Sequence, residues 1–320
     1  MFRVMDLPIR EGHKHRLPTP IKEEVRAIMS GEDPGGGGAN SAGALHTLSS
    51  ILGEISVDYF DVSVSDPLVC DTLYARGATP HFFNRREVPY NAIIPYREDR
   101  LVLKGPVLLR YTPKQEHYKH IMRIVSGSGA LLINSPKDSG YVEAFLNAAL
   151  SRRIPTYFVA TPSLEREFIE KKMLPRGPSV FNYNDAIDIF GDHIPSTKDD
   201  KRAYALELLT ALCKDGKSPH PLYLTLGPKG VYVLTDEERI HVGLKKEEQP
   251  IANQARREKG YAANGAGDVF AAGIVARPLF AQQAMDIGEL AMQASADAVR
   301  YLGYSGVTPS AFSIDRKPLR

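Results

Sequence analysis

Gly260-Tyr261-Ala262-Ala263-Asn264-Gly265-Ala266-Gly267-Asp268-Val269-Phe270-Ala271-Ala272-Gly273 is the stretch on which the reading of this chain turns. Three small residues, Gly265 to Gly267, stand at the expected start of a helix running from Ala266 to Phe280, and an acidic residue follows at once. Small residues let backbone N–H groups come close to an anion, and the N-terminus of a helix adds a partial positive charge. The arrangement suits negative charge that forms during a reaction. Asp268 has two readings: a first-turn acid that stabilises the helix dipole, or a general base beside an anion hole. No Gly-Lys-Ser/Thr follows, so this is not a phosphate-binding P-loop. It also lies far from the first strand–helix turn where a dinucleotide fingerprint belongs.

Working outward, a second glycine cluster, Gly35-Gly36-Gly37-Gly38-Ala39-Asn40, leads into a helical pattern carried by Ala42, Leu45, Leu48 and Leu52. Residues 79–111 are punctuated by Pro80, Pro89, Pro95 and Pro106 around short apolar runs such as Ala92–Ile94 and Leu101–Leu103, which predicts strands and turns. Beyond them the pattern alternates. Strands are expected at 130–133, 156–160, 179–181, 222–226 and 231–234, and helices at 141–150, 164–172 and 203–213. A last helix over 284–302 places Ile287, Ala291, Ala294, Ala298 and Leu302 on one face. Such alternation predicts a parallel sheet covered on both faces.

Composition removes several classes of function. The chain has 320 residues, 43% hydrophobic and 24% charged, an ordinary globular balance. Its 40 basic and 38 acidic residues leave a net charge of +2, which offers no footprint for nucleic acid and no polybasic membrane patch. Cys70 and Cys213 are too few for a disulfide framework or a metal cluster. No apolar run approaches a membrane span, and the polar start does not resemble a signal peptide. A single domain over 1–320 in the reducing cytoplasm is therefore expected.

The chain resembles the ribokinase-like (PfkB) family of carbohydrate and nucleoside kinases. Gly265–Gly273, GAGDVFAAG, is similar to that family's C-terminal signature, and Gly35–Asn40, GGGGAN, to its N-terminal glycine signature. Between them, Ser65-Asp66 resembles the family's glycine-aspartate turn, Phe181–Asp185 its N-x-x-E element, and Thr225–Gly230 its T-L-G-x-x-G nucleotide turn. The resemblance covers roughly residues 35–310. It implies a three-layer α/β/α sandwich with a small β-strand lid, supplied by segments within 1–34 and 79–111. It also implies transfer of the γ-phosphoryl group of ATP to a hydroxyl, with Asp268 taking the hydroxyl proton. The amides of Gly265, Ala266 and Gly267 would hold the growing charge.

Asn182 and Asp185 would help place Mg²⁺, which prefers oxygen ligands and keeps several waters. By themselves the two read as a strand end and a helix start. Thr225, Gly227 and Gly230 would line the nucleotide; alone they read as a β-turn. Gly36, Gly37, Asn40 and Asn134 would touch the acceptor. Sugars or their derivatives lead as acceptors, with nucleosides next, and a lid strand pairing with a second copy would give a homodimer. Asp185 replaces the family's usual Glu, and Ala262-Ala263 replaces Asp-Thr. Alanine offers no side-chain oxygen, which argues against a monovalent cation. The family's opening strand, with its acceptor-binding Asp, has only a weak counterpart at Asp6. These departures keep a non-catalytic ligand-binding protein of the same fold in view. A dehydrogenase fits less well, because no clear acidic strand end follows the glycines at 35–40.

Overall fold

The computed structural model describes residues 14–16, 37–63, 65, 67–86, 91–96, 99–104, 111–248, 265–281, 283–301 and 307–319. In chain order these form β1 (Lys14–Arg16), α1 (Gly37–Leu52), β2 (Val57–Ser63), α2 (Pro67–Ala75), β3 (Ala78–Arg86), β4 (Asn91–Tyr96), β5 (Asp99–Lys104), α3 (Gln115–Val125), β6 (Leu131–Asn134), α4 (Ser139–Arg152) and β7 (Thr156–Val159). A short helical segment, Arg166–Phe168, widens into π geometry over Ile169–Met173. There follow β8 (Ser179–Asn182), α5 (Tyr183–Phe190), α6 (Lys198–Lys214), β9 (Leu222–Thr225), β10 (Val231–Leu234), β11 (Glu238–Leu244), α7 (Ala266–Phe280), α8 (Ile287–Tyr301) and β12 (Phe312–Pro318).

The main sheet has seven strands in the order β12-β11-β10-β9-β8-β7-β6. Strands β6 to β9 are mutually parallel, as the alternating pattern predicts, whereas β9 to β12 are joined antiparallel. The difference has a simple cause. Residues 226–230 and 235–237 are too short to carry a parallel crossover, which needs a dozen residues or more, so β9, β10 and β11 turn back on each other.

Strand pleating sorts the core into two halves. Along β8 and β9, Val180 and Tyr223 face one side while Phe181, Leu222 and Leu224 face the other. The first side is packed by α1, α7 and α8, through Leu48, Phe270, Ile274, Ala291 and Ala294. The second is packed by α4, α5 and α6, through Val142, Leu146, Ile187, Phe190, Leu209 and Leu212. This is a three-layer α/β/α sandwich. Cys213 lies in the second half, and burial pushes its thiol up to about 12, the behaviour of an inert apolar residue.

Two smaller sheets stand apart from the seven-stranded one. β2 and β3 pair in parallel, and α1 packs on them through Ala39 and Ala42. β1, β5 and β4 form a three-stranded sheet in which Tyr96 lies opposite Asp99 and Lys14 opposite Val102. All of its strands fall inside the sequence segments expected to supply a lid.

Helices α7 and α8 are tied by an ion pair as well as by apolar contact. Arg277 donates from Nε and Nη2 to the two oxygens of Asp297, at 2.9 and 2.8 Å, and from Nη1 to Gln293 Oε1 at 2.6 Å. Only 3% of the Asp297 side chain is exposed. Removing one partner of such a pair leaves the other charge buried. Asp297→Ala should therefore lower unfolding stability by about 3–5 kcal/mol, read as a fall in the denaturant midpoint. A midpoint equal to that of the wild type would show the pair to be dispensable.

A second polar chain links β2, β3 and α3. Asp58 can only accept, so His81 Nε2 carries the proton it receives, at 2.7 Å. His81 Nδ1 then accepts from His120 Nε2 at 3.1 Å, and His120 Nδ1 accepts from Arg123 at 3.2 Å. This order holds only while both rings are neutral. Burial, then His81 and Arg123, hold the His120 imidazole below its ordinary value, with a smaller contribution from His117 and an opposing one from Asp58. The native state thus binds fewer protons than the unfolded chain, and stability falls as pH drops through and below about 6.5. Unfolding midpoints between about pH 7 and pH 5 should slope downward in the wild type and less steeply in His120→Gln. Equal slopes would assign the pH dependence to other groups.

Candidate functional site

Parallel strands end at one edge of a sheet, and in open α/β sheets that edge is where ligands bind. Here the last residues of β6, β8 and β9 are Asn134, Asn182 and Thr225. All three were singled out from the sequence, and the fold brings them to the same edge. Asn182 and Thr225 are direct neighbours across the β8–β9 ladder.

Asp268 reaches this edge from α7. Gly265 caps the helix with φ +89°, a left-handed conformation that a side chain would strain. A Cβ there would also lie 3.2 Å from Asn40 Nδ2 and 3.4 Å from the Tyr301 ring. Gly265 O already accepts from Val269 N, at 2.9 Å. The amides of the first turn have no partner within the helix, and a Cβ built on Gly267 would meet nothing within 4 Å. Asp268 thus sits in the first turn of α7, next to a glycine that faces open space.

Three side chains engage it. Asn40 Nδ2 donates to Asp268 Oδ2 at 3.0 Å, and Asn134 Nδ2 donates to Oδ1 at 3.0 Å. Ser41 Oγ donates to the Asp268 main-chain oxygen at 3.1 Å and accepts from Asn134 Nδ2 at 2.7 Å. Asn40 and Asn134 were expected to touch an acceptor; the structure places both directly on the carboxylate. Asn134 Oδ1 is buried and has no hydrogen-bond partner among the described residues, an uncommon state that costs free energy.

The glycine signature contributes differently from the loop the sequence suggests. α1 begins at Gly37, so Gly37 and Asn40 lie in its first turn. Gly38 admits the Tyr59 ring, which would stand 2.8 Å from a Cβ. Gly36 lies outside the described residues, as do Asp66 and Ala262-Ala263.

Asn182 and Asp185 form a reciprocal helix cap. Asn182 Oδ1 accepts from Asp185 N at 2.8 Å, and Asn182 Nδ2 donates to Asp185 Oδ2. Asp185 is buried at the start of α5. Thr225 Oγ1 donates to Phe181 O at 3.2 Å. The turn that follows is a 3₁₀ turn over Gly227–Lys229, with Leu226 N bonded to Gly230 O at 2.8 Å. Gly230 has φ +90°, and a Cβ there would stand 2.0 Å from Val242 O, so the approach of β11 also requires glycine. Among the described residues no group of three or more His, Cys, Asp or Glu could hold a metal by itself, and no helix is long and apolar enough to cross a membrane.

Sequence reasoning missed Ser41, which has no part in the glycine signature, and it missed that Asn40 and Asn134 meet on Asp268. Nothing local signals either; the contacts exist only once α1, β6 and α7 are packed together.

The sequence matches no protein-family model and no curated protein. Solved structures do match. A carbohydrate kinase from Agrobacterium tumefaciens is similar at 16% identity with a TM-score of 0.56, over 94% of this chain and 95% of that one. Phosphofructokinase-2 from Escherichia coli, in its tetrameric inhibited form, is similar at 14% identity with a TM-score of 0.55, over 91% and 94%. Arabidopsis thaliana ribokinase, complexed with ribose and ATP, is similar at 13% identity with a TM-score of 0.55, over 84% and 87%. At such identities the likeness is one of architecture, and the chain has the ribokinase-like fold that these sugar kinases share.

Proposed function

We propose that the chain is a Mg²⁺- and ATP-dependent small-molecule kinase that phosphorylates a hydroxyl of a sugar or sugar derivative. One observation carries the reading. A carboxylate, Asp268, stands in the first turn of α7 next to a glycine that faces open space, with side-chain amides on both its oxygens. In this role Asp268 accepts the proton of the acceptor hydroxyl as its oxygen bonds to the γ-phosphorus and the bond to ADP breaks. The amides at Gly265–Gly267 face the charge on the group in transit.

The nucleotide would lie over Thr225 and the Gly227–Gly230 turn, next to Asn182. The residues fit Mg²⁺ in its usual manner, with few protein ligands and the rest water and phosphate oxygen. Asp185 would supply the carboxylate and Asn182 would orient it; the ion, when bound, would neutralise phosphate charge. The three-stranded β1-β5-β4 sheet is the proposed lid, and its edge is where a second copy would pair.

Purified protein should form ADP in the presence of Mg²⁺ and one member of a panel of sugars and nucleosides, and Asp268→Asn should reduce that rate by about 10²–10⁴ while the protein stays folded by circular dichroism, with a lower melting temperature because one of the two donating amides then faces an NH₂. Nucleoside-dependent turnover would move the acceptor class. ATP binding without turnover on any acceptor would favour the non-catalytic reading. Asn182→Ala separates the two roles of the cap: loss of the cap costs about 1 kcal/mol of stability, whereas a part in placing the ion also raises the Mg²⁺ concentration for half-maximal rate. A stability loss with no shift in Mg²⁺ dependence would leave the pair purely structural.

A further inference from the structure

We infer that Ser41 is a positioning residue that sets the amide of Asn134 and the main chain at Asp268 into one fixed arrangement. As a role within the reaction, this rests on the kinase reading above. Ser41 is only 3% exposed, and its one hydroxyl hydrogen is used: it donates to Asp268 O and accepts from Asn134 Nδ2. The orientation of the Asn134 amide follows from this. Its two N–H bonds point to Ser41 Oγ and Asp268 Oδ1. A carboxylate has no hydrogen to give, and the Ser41 hydrogen is committed to the main chain. The reversed amide would therefore set its oxygen against two acceptors. Ser41 thereby holds Asn134 with nitrogen toward the base and leaves Oδ1 as the atom of the group with no partner. The same hydroxyl joins the start of the second turn of α1 to the first turn of α7, the turn that presents the amides of the candidate anion hole.

With Ser41 replaced by alanine, Asn134 Nδ2 loses an acceptor, Asp268 O loses a donor, and the amide is free to turn. Ser41→Ala should lower kcat/KM for the acceptor about tenfold, the usual scale for one such hydrogen bond, while KM for ATP stays within twofold. Ser41→Thr, which keeps the hydroxyl, should restore most of the loss. In an Asn134→Ala background the further change Ser41→Ala should cost less than about twofold, because the two act as a unit. Losses that multiply, or a Ser41→Ala enzyme equal to the wild type, would overturn the inference.

A second readout does not need turnover. The side-chain NH₂ resonances of Asn134 in ¹⁵N-labelled protein, identified by their loss in Asn134→Ala, should shift or broaden in Ser41→Ala and return in Ser41→Thr. Resonances that stay in place in Ser41→Ala would sink the positioning role. A wild-type protein that phosphorylates nothing, yet shows the expected NMR changes, would overturn the kinase reading and keep Ser41 as the residue that fixes Asn134 against Asp268.

Discussion

Parallel pairing constrains this molecule more than any other feature. Strands that run the same way must be joined by crossovers, so β6, β7, β8 and β9 all end at one edge. The side chains that finish them, Asn134, Asn182 and Thr225, have nowhere else to go. The helices that cover the sheet then start or end at that same edge. α7 delivers Asp268 there and α1 delivers Asn40 and Ser41, because both helices belong to the layer packed on Val231, Val233, Ile240 and Val242. The antiparallel β10, β11 and β12 extend the sheet without adding to the candidate centre; they close the core and back the glycine turn through Val242.

Several residues at the edge carry more than one structural duty. Asn182 caps α5 with its oxygen while its amide nitrogen holds Asp185. Gly230 satisfies both a positive φ and the close approach of β11. Gly265 opens α7 in a left-handed conformation and makes room for Asn40.

Much of the fold was legible beforehand, for identifiable reasons. The bounds of α7 follow from the small residues at one end and the switch to polar sequence at the other. β10 is a run of Val and Leu between a glycine turn and acidic residues. The helix expected over 164–172 became a short turn and a π segment, since its apolar spacing serves Ile169 and Met173 in the core without sustaining α geometry. The antiparallel half was hidden because periodicity does not report strand direction. Helices α2 and α3 and strands β2, β11 and β12 went unassigned, their patterns being short or interrupted by charge.

For the candidate site, sequence alone pointed to residues by type: a carboxylate after small residues, amides and glycines at turns. Those properties are local, since they depend on φ, on the absence of a Cβ, and on the position of a residue within its helix. It could not show that Asn40 and Asn134 donate to the two oxygens of Asp268, or that Ser41 binds the group together. Residues 228, 134 and 227 positions apart meet there only because one layer of helices packs on the sheet. Hydrogen bonds reach about 3 Å, so partners so distant along the chain are decided by tertiary packing.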